Sequence, residues 1–333
     1  MDETSVIETS RIRLARNIDS MSFIPNSDPK ACEQLINRVV GAVSMLGRYK
    51  VYKMNSLGEQ DSLVMLGKHL ISKELLKNKQ TGAVLVNDDE SLSIMVNEED
   101  HIRAQCILNG KNLERAYSLI SEIDDELDEK LNIAYDNKFG YLTSCVTNVG
   151  TGLRASIMLF LPALTLSGEI ENVVLAVKQK GLTVRGELGE GSFPLGYLYQ
   201  VSNRLSIGIS ERETISLVNS ATEKIVELEL QERRKLLAEN PDYVVDMAWR
   251  AYGILANCYT IDYNEFMKLA GELKLGISLG LITLSDPKLI DKLIIICTDS
   301  GIIKLRGKMI AEDEIARSRA EYLRKMLKRA KIN

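Results

Sequence analysis

Thr143-Ser-Cys-Val-Thr-Asn-Val-Gly-Thr-Gly-Leu-Arg-Ala-Ser156 places a thiol, a polar turn broken by two glycines, and an arginine within fourteen residues. Gly150 and Gly152 let the backbone approach a ligand closely. Arg154 then opens an apolar run, Ile157 to Leu166, of helical length. The expected element is a helix over 153–166, kinked or ended by Pro162. The arrangement suits an anion held beside a thiol, with arginine as the grip. It is not a Walker A loop, because the GK[ST] ending is missing and the spacing is wrong. The HRD, DFG and VAIK signatures of protein kinases are also absent from the sequence.

Working outward, Ser10-Arg-Ile-Arg-Leu-Ala-Arg-Asn17 alternates basic and apolar residues. A strand there puts Arg11 and Arg13 on one face. Pro29 in a first turn starts an amphipathic helix running to about Leu46. Short β-like runs follow at 49–54, 83–86, 92–96 and 102–107. Helices are expected at 113–131 and 169–180, with a strand at 182–185. Glu187–Pro194 is a glycine-rich loop of the kind that moves. From Glu211 the pattern is helical throughout, with segments at 211–239, 241–256, 262–275, 287–296 and 312–331. Strands mixed with helices, then helices alone, predict an α+β domain over 1–210 and an all-α domain over 211–333.

The 333 residues are 45% apolar and 26% charged, ordinary values for a globular protein with a real core. A net charge of -4 argues against general nucleic-acid binding. Residues 304–333 carry ten Lys/Arg against four acids, which alone reads as a solvated basic helix face. The N-terminus lacks the apolar core of a signal peptide. No apolar stretch approaches the length needed to span a bilayer, so no membrane contact is expected. Five cysteines without CxxC spacing, and only two histidines, argue against a zinc site and point to the reducing cytosol.

Five arginines stand at the ends of apolar runs or beside glycine turns: Arg11, Arg13, Arg103, Arg154 and Arg185. Any one alone reads as surface. Two guanidinium charges ~6 Å apart repel by about 3 kcal/mol at an effective dielectric of ~20. A converged cluster therefore needs carboxylates or a polyphosphate to offset it. Asn97-Glu-Glu-Asp-His-Ile-Arg103 sets three acids beside one of these arginines, and Arg185-Gly-Glu-Leu-Gly-Glu-Gly-Ser192 pairs another with acids on a glycine-hinged loop.

Together, Ser10–Arg13, Asn97–Arg103, Cys145 with Thr147–Arg154, and Arg185 through Glu190 resemble the phosphagen (guanidino) kinase family in order and spacing. The resemblance covers roughly residues 5–210. Lys68-His-Leu-Ile-Ser72, Tyr141-Leu-Thr-Ser-Cys145, Leu161-Pro-Ala-Leu164 and Ala251-Tyr-Gly-Ile-Leu-Ala-Asn-Cys258 are similar to its bacterial protein-arginine-kinase branch. That extends the likeness into the helical part.

The resemblance implies a mainly antiparallel sheet flanked by helices. It implies an ATP site at Arg11, Arg13, His69, Arg103, Arg154 and Arg185, with Mg2+ carried by the phosphates rather than by protein side chains. The implied catalytic residues are Glu99 as base, its neighbour Glu98, Cys145 as reactive thiol, and Glu190 as the loop acid gripping the acceptor guanidinium. It further implies protein substrates with exposed arginines, a small zinc-binding activator, delivery to a Clp unfoldase in protein quality control and stress response, a homodimer, and a cytoplasmic location. Nine residues precede Ser10, where small-molecule guanidino kinases carry a helical domain, so an open site is expected that admits a protein-borne arginine.

Departures from the family are Val146 for proline, Leu188 for arginine or tyrosine, and loss of the Arg-Asp that marks a phosphoarginine-binding pocket. Arg317 and Arg319 remain of that pocket. Other readings are a small-molecule guanidino kinase and a non-catalytic adaptor for nucleotide or phosphoarginine.

Overall fold

Residues 3–23, 28–186 and 194–329 are described by the computed structural model. The chain builds β1 (Ile7–Arg16), α1 (Pro29–Val43), β2 (Tyr49–Lys53), α2 (Glu59–Gly67), α3 (Lys73–Lys77), β3 (Ala83–Asn87), β4 (Leu92–Val96), β5 (Ile102–Asn109) and α4 (Leu113–Lys130). A two-residue pair, β6 (Tyr135–Asp136) and β7 (Gly140–Tyr141), leads to β8 (Leu153–Phe160), α5 (Pro162–Leu166), α6 (Ile170–Gln179), β9 (Leu182–Gly186) and β10 (Leu198–Asn203). The rest is helical: α7 (Glu211–Glu239), α8 (Pro241–Asn257), α9 (Tyr263–Ser278), α10 (Leu289–Ile296), α11 (Asp299–Arg306) and α12 (Glu312–Arg329).

Eight strands form one sheet in the order β2-β3-β4-β5-β1-β8-β10-β9, with antiparallel neighbours throughout. Strand alternation sends Ile12, Leu14, Ile94, Ala104, Ala155, Ile157 and Val201 to one face. They form a single core with Leu35 and Val39 of α1, Ile120 of α4 and Val218 and Ile225 of α7. The other face carries the arginines near its middle. Over β3 and β4 on that face, α2 and α3 bury Met54, Leu75, Val84 and Met95. The architecture is α+β followed by a helical C-terminal region.

The helix expected over 153–166 is instead strand β8 and the short helix α5. β8 lies between β1 and β10, so its inward residues meet the helix layer and its other face packs as well. A strand covered on both sides reads as a continuous apolar run, which periodicity does not separate from a buried helix. Pro162 does not kink a helix but starts one, at its first turn.

α8 to α12 gather a second core around Val244, Ala248, Phe266, Leu273 and Leu323, which Phe160 and Leu198 enter from the sheet. Two ionic devices, the first fully buried, fasten this region to the strands. Glu229 and Arg233, both fully buried on α7, pair at 2.7 Å. Glu229 accepts from the backbone N–H groups of Ala163 (3.1 Å) and Leu164 (3.0 Å), while Arg233 donates to Phe160 O (3.2 Å) and Ser278 Oγ (3.3 Å). Lys274 of α9 reaches Glu8 of β1 at 2.7 Å and Asp291 of α10 at 2.6 Å. Removing one partner of a buried pair strands the other charge. Glu229→Ala is therefore expected to lower unfolding free energy by about 3–5 kcal/mol. Urea denaturation checks this, and a change under 1 kcal/mol would show that the junction is not strained by the lost carboxylate.

Candidate active site

The sheet register assembles the basic cluster. Arg13 on β1 stands opposite Gln105 on β5 and opposite Arg154 on β8. Arg11 faces Ser156, Arg103 faces Ala15, and Arg185 on β9 faces Gln200 on β10. Paired residues of antiparallel strands share a face, so all five arginines lie on the one turned away from the main core. Gln105 Oε1 accepts from Arg11 Nε at 3.1 Å and also from its Nη2. Ser202 Oγ accepts from Arg154 Nη2 at 3.2 Å.

The charges are crowded. Burial, then the guanidiniums of Arg103 and Arg154, push the Arg11 pKa down to about 9. Burial and the same neighbours, with Arg11 added, push Arg13 well below its usual value. Glu98 is the carboxylate that offsets them. Arg13 Nε is buried with no hydrogen-bond partner among the described residues. An orphaned donor within a knot of like charge is the environment a polyphosphate relieves, because planar forks match its oxygens.

The acidic turn between β4 and β5 abuts this cluster. Asn97 takes the left-handed conformation (φ 59°), and its amide side chain donates to Thr81 O (2.8 Å) and Cys32 O (3.1 Å). Its N–H closes the turn on His101 O at 2.8 Å. Glu98 is buried and accepts from Arg103 Nη1 and Ser72 Oγ, each at 2.5 Å, and from the Glu99 N–H at 3.0 Å. Glu98 thus positions Arg103 and the backbone of Glu99. The Glu99 carboxylate is exposed. Partial burial, then the negative charges of Asp100 and Glu98, raise its pKa above the ordinary value despite the opposing pull of Arg103.

Asp100 ties this turn to the thiol segment. It accepts from Asn17 Nδ2 and from the Ser144 N–H, both at 2.7 Å. Cys145 is the next residue, half-buried, with Sγ 3.0 Å from Thr147 Oγ1. His101 is structural: its Nδ1 accepts from Ile18 N–H, and its Nε2 donates to Ser22 O at 3.1 Å. Gly150, at φ 115°, allows Ser206 O so close that a Cβ there would lie 2.2 Å from it. Buried Arg16 fastens the same segment to the sheet through Thr151 O (2.9 Å), Asp124 (2.6 Å) and the Tyr141 ring.

The structure therefore brings together Arg11, Arg13, Arg103 and Arg154 with Glu98, Glu99 and the Cys145 segment. Arg185 shares the face two strands beyond Arg154. His69 (φ 58°) is half-buried, and its carbonyl accepts from Gln105 Nε2 at 2.5 Å. Glu190 and Leu188 lie outside the described residues. Arg317 and Arg319 are not brought together. Arg319 is buried, donating to Cys297 O (2.7 Å), Ile261 O (2.9 Å) and Asp299, whereas exposed Arg317 pairs with Asp313. Sequence reading missed Gln105, Ser202 and the Asn17–Asp100–Ser144 link. Gln105 had a signal: it stands two residues from Arg103 on one strand and so shares its face.

Residues 31–232 match the ATP:guanido phosphotransferase catalytic-domain family, and residues 241–333 match the protein-arginine kinase McsB C-terminal domain. A protein-arginine kinase of Halothermothrix orenii is 42% identical over 327 residues, covering 98% of this chain and 94% of its own. One from Caldanaerobacter subterraneus subsp. tengcongensis is 39% identical over 326 residues, covering 96% of each. Among solved structures, a lombricine kinase superposes with a TM-score of 0.60 at 23% identity over 69% of this chain and 67% of its own. A duplicated taurocyamine kinase from Schistosoma mansoni gives 0.61 at 21% identity over 88% of this chain and 40% of its own. These two share the fold. With both family matches meeting between residues 232 and 241, and near-full-length identity to its relatives, the chain belongs to the ATP:guanido phosphotransferases and, among them, to the protein-arginine kinases.

Proposed function

We propose that the chain transfers the γ-phosphoryl group of ATP to arginine side chains of proteins. The observation that carries this is the crowded set Arg11, Arg13, Arg103 and Arg154, joined through the Arg103–Glu98 pair to the acidic turn. An anion site and a cation site lie back to back. Bound ATP with Mg2+ would supply the phosphoryl group and its counter-charge. The arginine forks would bind the phosphates and hold the charge that spreads over them during in-line transfer. Glu99 would orient the acceptor guanidinium and take its proton as the N–P bond forms and the bond to ADP breaks. Cys145 would lie against the acceptor's positive charge, and Glu190, by resemblance, on its other side.

By the same resemblance, the protein acts in the cytoplasm as a homodimer with a zinc-binding activator and passes its marked substrates to a Clp unfoldase. No described helix is long and apolar enough to cross a membrane.

Incubation with ATP, Mg2+ and an arginine-rich protein is expected to leave acid-labile phosphate on arginine. Phosphorylation of free arginine with none on protein would replace this reading with a small-molecule guanidino kinase. Nucleotide binding without transfer to either acceptor would make the chain an adaptor.

A further inference from the structure

Beside the thiol segment are exposed apolar side chains that the fold does not use. Val146 is 82% exposed, Leu205 47% and Ile207 46%. Single exposed apolar residues are normal. These, however, come from two segments laid against each other. Ser206, between Leu205 and Ile207, is buried and donates its hydroxyl to Thr147 O at 2.9 Å. Its carbonyl accepts from Thr151 N–H at 3.0 Å. The anchor points in while both neighbours stay out. Val146 directly precedes Thr147 and follows Cys145.

We propose that Val146, Leu205 and Ile207 are the docking surface for residues flanking the target arginine, so that arginines with apolar neighbours in an extended segment are preferred. The inference rests on the function proposed above. Continuity with the acceptor position names the occupant. A guanidinium presented between Glu99 and Cys145 belongs to a chain whose successive residues are at most ~3.6 Å apart. The two residues on either side of the target therefore fall within ~7 Å of its Cα. Val146, covalently next to Cys145, and Leu205 and Ile207, on either side of the Ser206 that holds Thr147, are the exposed apolar side chains beside that position. Burying an apolar flank on them removes apolar surface from water on both partners. Val146 thereby acquires a role: its side chain faces outward beside the thiol and takes no part in holding the turn.

The test compares two arginine peptides, one with leucine at the two positions on each side of the target, the other with serine and glycine there. The wild-type protein is expected to show kcat/KM on the order of tenfold higher for the leucine peptide, through KM. A Val146→Ser/Ile207→Ser double variant is expected to lose that preference while keeping its rate on the serine–glycine peptide and its ATP affinity. Equal kcat/KM for both peptides in the wild type would overturn the inference and leave the kinase reading standing. So would an equal loss on both peptides in the variant. Phosphorylation of neither peptide, nor of any protein, would overturn the kinase reading and this inference with it.

Discussion

Arg154→Ala is expected to slow phosphoryl transfer by on the order of 10³-fold or more, the scale set by arginines that hold a transferring phosphoryl group. Arg154 stands in register with Arg13, and its guanidinium is steadied by Ser202 at 3.2 Å. It adds to the positive field that already depresses Arg11 and Arg13. That field is unfavourable in the nucleotide-free protein and favourable once phosphates enter. The substitution should therefore separate two readouts. Thermal stability without nucleotide should hold or rise, because one like charge has left the knot. Stabilisation by ATP should shrink, because bound-state stabilisation follows affinity. Arg154→Lys keeps the charge but loses the planar fork, so its rate should fall between wild type and alanine. Single-turnover phosphorylation of a protein substrate compares the rates of wild type, Arg154→Ala and Arg154→Lys, and thermal denaturation with and without ATP reads the two stabilities. A loss below tenfold in Arg154→Ala would remove this residue from the phosphate site.

Much of this arrangement was legible because strands expose their logic through a period of two. Arg11 and Arg13 read correctly as one face of β1, and β3, β4 and β5 fall where short apolar runs were marked. Strand β8 did not read correctly, because its Ile157–Phe160 stretch is apolar on both faces. The α+β architecture followed by helices was legible from the change in pattern. Yet the long α7, helical as expected, packs Ile215, Val218 and Ile225 into the sheet's own core. Pairwise placement across strands was not legible. That Arg13 would meet both Gln105 and Arg154 depends on β1 lying between β5 and β8, a property of topology rather than of local sequence. The adjacent acids Glu98 and Glu99 look equivalent as letters, and only burial divides them, one clamped on Arg103 and the other exposed. For Arg317 and Arg319 the spacing itself carried the answer. Two residues on a helix are about 200° apart, so one faces in and the other out.

That division between the acids makes Glu99→Gln the second large effect, a loss on the order of 10³-fold in transfer with nucleotide affinity retained. An acceptor guanidinium holds its proton with a pKa above ~12, so its nitrogen becomes a nucleophile only as a base takes that proton. Glutamine keeps the shape and hydrogen-bonding reach of glutamate but accepts no proton at neutral pH. Glu99 stands outside the arginine cluster, so ATP binding should survive. The environment adds a pH signature. Partial burial, with Asp100 and Glu98 close by, raises the Glu99 pKa, and a raised pKa makes the ionised carboxylate a stronger base. The base must be ionised to act, so the wild-type rate should fall as pH drops through that raised value, sooner than for an ordinary glutamate. The stability sign is opposite. A carboxyl whose pKa is higher folded than unfolded binds its proton more tightly when folded, so its ionised form weakens the fold above that pKa. Glu99→Gln removes that charge and should leave the melting temperature at pH 7 unchanged or higher while activity collapses. A variant that keeps wild-type turnover would take Glu99 out of the mechanism. One that loses turnover together with its melting temperature would assign the residue to the turn's architecture instead.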